Sequence, residues 1–171
     1  MTELRDSRVK EAIASAEGLY HRLVLVVGNS GSGKTDLIRE VAEDVGVTAM
    51  NINLGLSEKI LELTHRQRSL RLPGLLSGLL AADDPIAILD NTEILFDQDL
   101  KQDPLRLLQG LSRNRTVIAS WNGTAKGTQL TYAEPGHPEY RKYEHVDIPI
   151  VLLAESKTAA EIEQSKEGGR A

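Results

Sequence analysis

Apolar residues in this chain fall into two patterns. Short unbroken runs occur at 23–27 (LVLVV), 86–89 (IAIL), 116–121 (TVIASW) and 148–153 (IPIVLL). A β-rich run without alternation predicts a strand buried on both faces, as in a parallel sheet. Between the runs the apolar positions recur every three or four residues. Leu4, Val9, Ile13 and Ala16 predict an amphipathic helix over 3–19, with Gly18 as its stop. Leu37, Ile38, Val41 and Val45 predict a second over 35–45, ended by Gly46.

Further elements complete the pattern. Residues 47–52 read as a strand, 57–63 and 73–82 as short helices flanking the polar stretch HRQRSLR, and 104–111 as a helix. Residues 122–147, rich in Gly, Pro, Tyr and His, read as a long irregular excursion. Helices alternating with buried strands predict an α/β fold, a five-stranded, mostly parallel sheet flanked by helices. One domain is expected over 1–153, followed by a polar, flexible tail at 154–171 that is too short for a helical lid.

Composition narrows the chemistry. With 4% aromatics among 40% hydrophobic residues, the core must be aliphatic. The absence of cysteine excludes disulfides, thiolate catalysis and Cys-ligated zinc. The charged N-terminus has no apolar core of a signal peptide, and no apolar run approaches the ~20 residues of a membrane span. A cytoplasmic location with no membrane partner is the expectation. A net charge of -5 offers no global attraction to DNA.

Residues 28–35, GNSGSGKT, satisfy the phosphate-loop pattern G-x-x-x-x-G-K-[ST], placed between a buried strand and an amphipathic helix. Gly28, Gly31 and Gly33 let backbone N–H groups curl around an anion, and Asn29, Ser30, Ser32 and Asp36 complete the binding stretch. The dipole of the following helix points its positive end at the phosphates. Lys34 reaches the β- and γ-phosphates, and the Thr35 hydroxyl ligates Mg²⁺. The expected ligand is ATP with Mg²⁺, with GTP the less favoured alternative.

Such a site takes a carboxylate from a neighbouring strand, and Asp90, closing IAILD, is the candidate to hold the metal shell. Many additional-strand ATPases place Glu next; here Asn91 follows, and Glu93 is the first carboxylate beyond Asp90. Glu93 is the candidate to activate water, a solvated helix-start residue being the alternative. Asn122, after TVIASW, reads as a polar sensor facing the γ-phosphate (sensor 1) or as an ordinary turn before Gly123.

Arginines commonly meet the charge of the transferred phosphoryl group. Arg113 and Arg115 precede the fourth expected strand and Arg141 the fifth. That strand edge lies opposite the chain's own nucleotide, so these arginines are candidates for a neighbouring subunit's site. Arg141 is favoured, because AAA+ enzymes often carry such a residue before this strand. His65, Arg66, Arg68 and Arg71 form the densest basic patch, read as a solvated face or as a contact for DNA or a protein. Tyr132, His137, Tyr140 and Tyr143 read as core or loop packing, with stacking on a base or a partner as the alternative.

Taken together, GNSGSGKT, LDNTEILF, KQDPLRLLQGLSRNRTVIASWNG and LTYAEPGHPEYRKY resemble the BrxF family, the small P-loop proteins of BREX bacteriophage-defence systems, over residues 23–153. The resemblance implies an AAA+-like core and a prokaryotic cytoplasmic ATPase, a homo-oligomer working with other BREX defence proteins. Two features depart from full AAA+ enzymes. No lid domain carries a sensor-2 arginine, and Asp90–Asn91 replaces the Asp–Glu pair, so fast autonomous hydrolysis is not implied.

Overall fold

The computed structural model describes residues 3–81 and 83–153; the expectations for residues 154–171, a polar tail and no lid, lie outside them. The chain begins with α1 (Ser7–Glu17), whose first amides at Arg8 and Val9 are accepted by the Asp6 side chain. Strand β1 (Leu23–Gly28) is buried along its whole length and leads into α2 (Lys34–Val45). Next come β2 (Met50–Asn51), α3 (Ile52–Ile60), α4 (His65–Gly78) and β3 (Ile86–Asp90). Two 3-10 turns, Thr92–Phe96 and Gln98–Leu100, precede α5 (Pro104–Leu111). The last elements are β4 (Thr116–Lys126), β5 (Gln129–Tyr132), β6 (Arg141–Tyr143) and β7 (Ile150–Leu152).

Five strands form a parallel array in the order β2-β3-β4-β1-β7. This is the α/β sheet the uninterrupted apolar runs predict. Paired residues side by side in a parallel register send their side chains to the same face. On one face Val24, Val26, Ile88 and Ile118 meet Val9 and Ala16 of α1 and Ile38 and Val41 of α2. On the other, Leu25, Leu89 and Trp121 meet Ile52 and Leu56 of α3, Leu72 and Leu76 of α4, and Leu108 of α5. At its far end α2 is held by the buried Asp44, which accepts from the backbone and guanidinium of Arg5 at 3.0 and 2.8 Å.

Four expectations are corrected. The second strand is two residues long rather than 47–52, because the Asn51 side chain accepts from Leu54 N and starts α3. The polar stretch HRQRSLR does not separate helices at 57–63 and 73–82 but is itself helical: Thr64 and Gln67 form a reciprocal capping box that opens α4, and the basic residues lie along it. Asn122 does not close the fourth strand, which runs on to Lys126. The expected irregular excursion therefore contains an antiparallel meander, β4–β5–β6. Gly127 at φ 58° starts the two-residue β4–β5 turn, where primed hairpin turns favour glycine.

That meander packs its alternating Leu130 and Tyr132 into the core. Tyr132 stacks on Phe96 (centroids 3.3 Å apart), while Trp121 meets both rings edge-on. Gly123 sits where β5 crosses closely: a Cβ there would run into the Thr131 carbonyl. Gly123→Ala is expected to cost about 3 kcal/mol through backbone overpacking. Urea unfolding followed by Trp121 fluorescence is the measurement, and an unchanged midpoint contradicts the close crossing.

Candidate functional site

The phosphate loop leaves the C-terminal end of β1, an interior strand between β4 and β7. A Cβ at Gly28 would strike the Ser32 side chain, so the loop starts tightly against its own serine. Gly31 and Gly33 have φ of 81° and 95°, the left-handed region that costs other residues strain. Gly33 is also the N-cap of α2 and supplies no side-chain cap, so the helix opens with its dipole turned to the loop.

Lys34, only 8% exposed, folds back under this loop. Its Nζ donates to Gly28 O at 2.8 Å, Asn29 O at 2.7 Å and Ser32 Oγ at 3.4 Å. Burial pushes its pKa below the ordinary lysine value, against the opposing pull of the Glu93 and Asp90 charges. Thr35 follows it in the first turn of α2 with an exposed side chain. Asp36 is exposed and lies 4.0 Å from Arg39.

Asp90 ends β3, 9% exposed, and its Oδ1 accepts from Asn91 N at 2.9 Å. Asn91 takes a left-handed conformation (φ 53°, ψ 53°), which asparagine tolerates better than most residues. This turn swings the chain into the Thr92–Phe96 turn, anchored by Thr92 Oγ1 donating to Ser120 O at 2.7 Å. Glu93 comes to the cleft in this way. Its Oε1 accepts from Asn122 Nδ2 at 2.7 Å across the strands.

Lys34, Thr35, Asp36, Asp90, Glu93 and Asn122 thus line one cavity of ≈ 370 Å³, together with Ser30, Gly31, Gly33 and Asn91. The structure brings these residues together around one cavity, while Asn29 and Ser32 line its neighbour. The donor set also fits Mg²⁺. Among the described residues no cluster of three or more His, Cys, Asp or Glu is placed to hold a metal alone. One carboxylate and one hydroxyl, with phosphate oxygens and water, is how Mg²⁺ is usually held beside a nucleotide.

The arginines lie elsewhere. Arg115 donates to Ala81 O at 2.6 Å, and the Arg113 guanidinium lies 5.8 Å from the Tyr20 ring centroid. Both stand before the start of β4, on the strand edge expected for them. Arg141 does not: it lies in β6, opposite Tyr132 of the meander, and donates to Gln102 O at 2.8 Å. Placing it just before the last parallel strand assumed that 122–147 was a simple loop. None of the three lines the phosphate cavity.

In the basic patch, Arg68 ties down the α3–α4 connection by donating to Leu63 O and Leu61 O. Tyr132 of β5 is core and the Tyr143 O–H of β6 donates to Asp103 Oδ1 at 3.0 Å, so both pack within the protein, on strands rather than in a loop. Sequence reasoning missed the bend at 133–137 beyond β5. Ala133 donates its N–H to Asn122 O, and with Glu134, Pro135 and His137 it walls a second cavity of ≈ 660 Å³ against Asn29, Ser30 and Ser32. The Pro135–Gly136 pair signals a turn, but nothing in the sequence says that it returns to the phosphate loop.

Among the described residues no helix is long and apolar enough to cross a membrane. Neither a family model nor a curated protein matches the sequence. The solved structures similar to it include two at 15% identity over 94% of this chain. The two are C. elegans PCH-2 (46% of that chain, TM-score 0.44) and AMPPCP-bound DnaA from Aquifex aeolicus (48% of that chain, TM-score 0.41). The chain spans about half the length of either.

Proposed function

We propose that this chain binds ATP with Mg²⁺ and hydrolyses it, acting with other BREX defence proteins through nucleotide-coupled assembly. The observation that carries the nucleotide reading is the convergence on one cavity of a loop amide ring, Lys34, Thr35, Asp90, Glu93 and Asn122. The BREX assignment is supported by the sequence strings that resemble that family.

In this reading the loop amides and Lys34 bind the β- and γ-phosphates, Thr35 and Asp90 orient the metal and its water, and Glu93 takes a proton from the attacking water. Bound Mg²⁺ supplies charge neutralisation on the phosphate oxygens. Asn122 fixes the Glu93 carboxylate by its amide hydrogen bond. A ligand that binds better to the assembled state shifts the chain towards it, and Arg113 and Arg115 are the residues a neighbour would offer.

A second reading, a nucleotide-dependent adaptor with little turnover, is favoured by the same contact. The amide of Asn122 occupies one oxygen of the candidate base, and Asn91 stands where many such enzymes carry glutamate.

Calorimetry with Mg-ATP is the first test, with saturable binding expected. No uptake at millimolar ligand by folded protein removes both readings. Light scattering with a non-hydrolysable analogue then tests assembly: a rise in mass is expected, and an unchanged monomer rules out shared sites.

A further inference from the structure

Ser120 is 1% exposed, and its Oγ is the buried side-chain polar atom that lacks a hydrogen-bond partner among the described residues. A buried hydroxyl without a partner opposes folding. The location of the orphan points to a use for it. β4 lies between β1 and β3, and Ser120 pairs with Val26 on the β1 side. On the β3 side the register runs Ile88↔Ile118 and Leu89↔Ala119, so its next step sets Asp90 beside Ser120.

Both side chains therefore belong to the sheet face covered by α2, the face on which Ile88, Ile118 and Val26 pack. The Ser120 backbone is fixed as well, its carbonyl accepting from Thr92 Oγ1 at 2.7 Å. Asp90 uses Oδ1 to accept from Asn91 N, which leaves acceptor capacity on the carboxylate.

We propose that Ser120 is a positioning residue for the metal-holding carboxylate: its hydroxyl donates to the Asp90 carboxylate when a divalent cation is held there. This inference rests on the Mg-nucleotide reading of the cavity. The role is that of a partner hydrogen-bonded to a metal ligand, which orients the ligand without touching the metal. It makes the hydroxyl a cost in the metal-free protein and a gain in the loaded one.

The test uses the full chain, with Ser120→Ala, Ser120→Cys (nearly the same shape, a weak donor) and wild type checked by circular dichroism. Two readouts are compared: the metal-free melting temperature, and the Mn²⁺ concentration that half-saturates the ATP-bound protein, followed by electron paramagnetic resonance. Ser120→Ala is expected to melt no lower than wild type while its Mn²⁺ midpoint rises about 10-fold. Ser120→Cys is expected to show the same rise, and ATP affinity without metal to stay unchanged in both.

An unchanged Mn²⁺ midpoint in Ser120→Ala overturns the role of Ser120 and leaves the nucleotide site standing. So does a rise in Ser120→Ala that Ser120→Cys abolishes, because shape rather than the donor would then matter. Equal loss of ATP binding with and without metal points to packing and overturns it too. If wild type takes up neither ATP nor Mn²⁺, the site reading fails first and this inference with it.

Discussion

Lys34→Ala is expected to weaken Mg-ATP binding about 100-fold. In the structure the ammonium makes three contacts with the loop it underlies, to Gly28 O, Asn29 O and Ser32 Oγ. Two effects follow from its loss. The phosphates lose charge-assisted hydrogen bonds, worth about 1.5–3 kcal/mol each. Two loop carbonyls also lose the cation that neutralises them beside a polyanion. A net loss of about 2.7 kcal/mol corresponds to the 100-fold change.

Folding is expected to survive the substitution, since the cost of burying the charge disappears with the contacts. Calorimetry on protein with an unchanged circular dichroism spectrum is the check, and wild-type affinity would contradict the placement of the phosphates. The pH dependence carries a sign. Burial lowers the Lys34 pKa in the free protein, so its proton leaves below the ordinary 10.5. Wild-type affinity is therefore expected to fall as pH rises through that lowered value, and the Lys34→Ala affinity to lack this component.

The legibility of the fold follows from where its signals lie. Each central strand is buried on both faces and prints an uninterrupted apolar run, so β1, β3 and the first half of β4 are plain in the sequence. The loop and Asp90 are equally plain, because their chemistry is local to a strand end. Signals shared between distant segments were lost. Gly123 and the alternating Leu130 and Tyr132 belong to a meander whose second strand is only four residues long. The capping box Thr64–Gln67 was hidden by reading HRQRSLR through its charge. Asn91 looked like a missing glutamate, whereas its left-handed backbone brings Glu93 to the cavity.

Glu93→Gln is expected to lower turnover about 100- to 10,000-fold while ATP binding is kept, the range typical of losing a positioned general base. The hydrogen bond to Asn122 makes this a clean substitution. Asn122 Nδ2 donates to Glu93 Oε1 at 2.7 Å, and a glutamine oxygen accepts in the same place. What disappears is basicity and one negative charge. Removing that charge from a cavity that takes a polyanion favours binding, so affinity is expected to equal or exceed that of wild type. Phosphate release measured beside calorimetry separates the two terms. Wild-type turnover in Glu93→Gln would mean that Glu93 is not the base, and Asn91 cannot replace it because an amide takes no proton. If wild type itself releases no phosphate and the substitution changes neither rate nor affinity, the adaptor reading holds. The Asn122–Glu93 pair would then serve the shape of the cleft rather than a reaction.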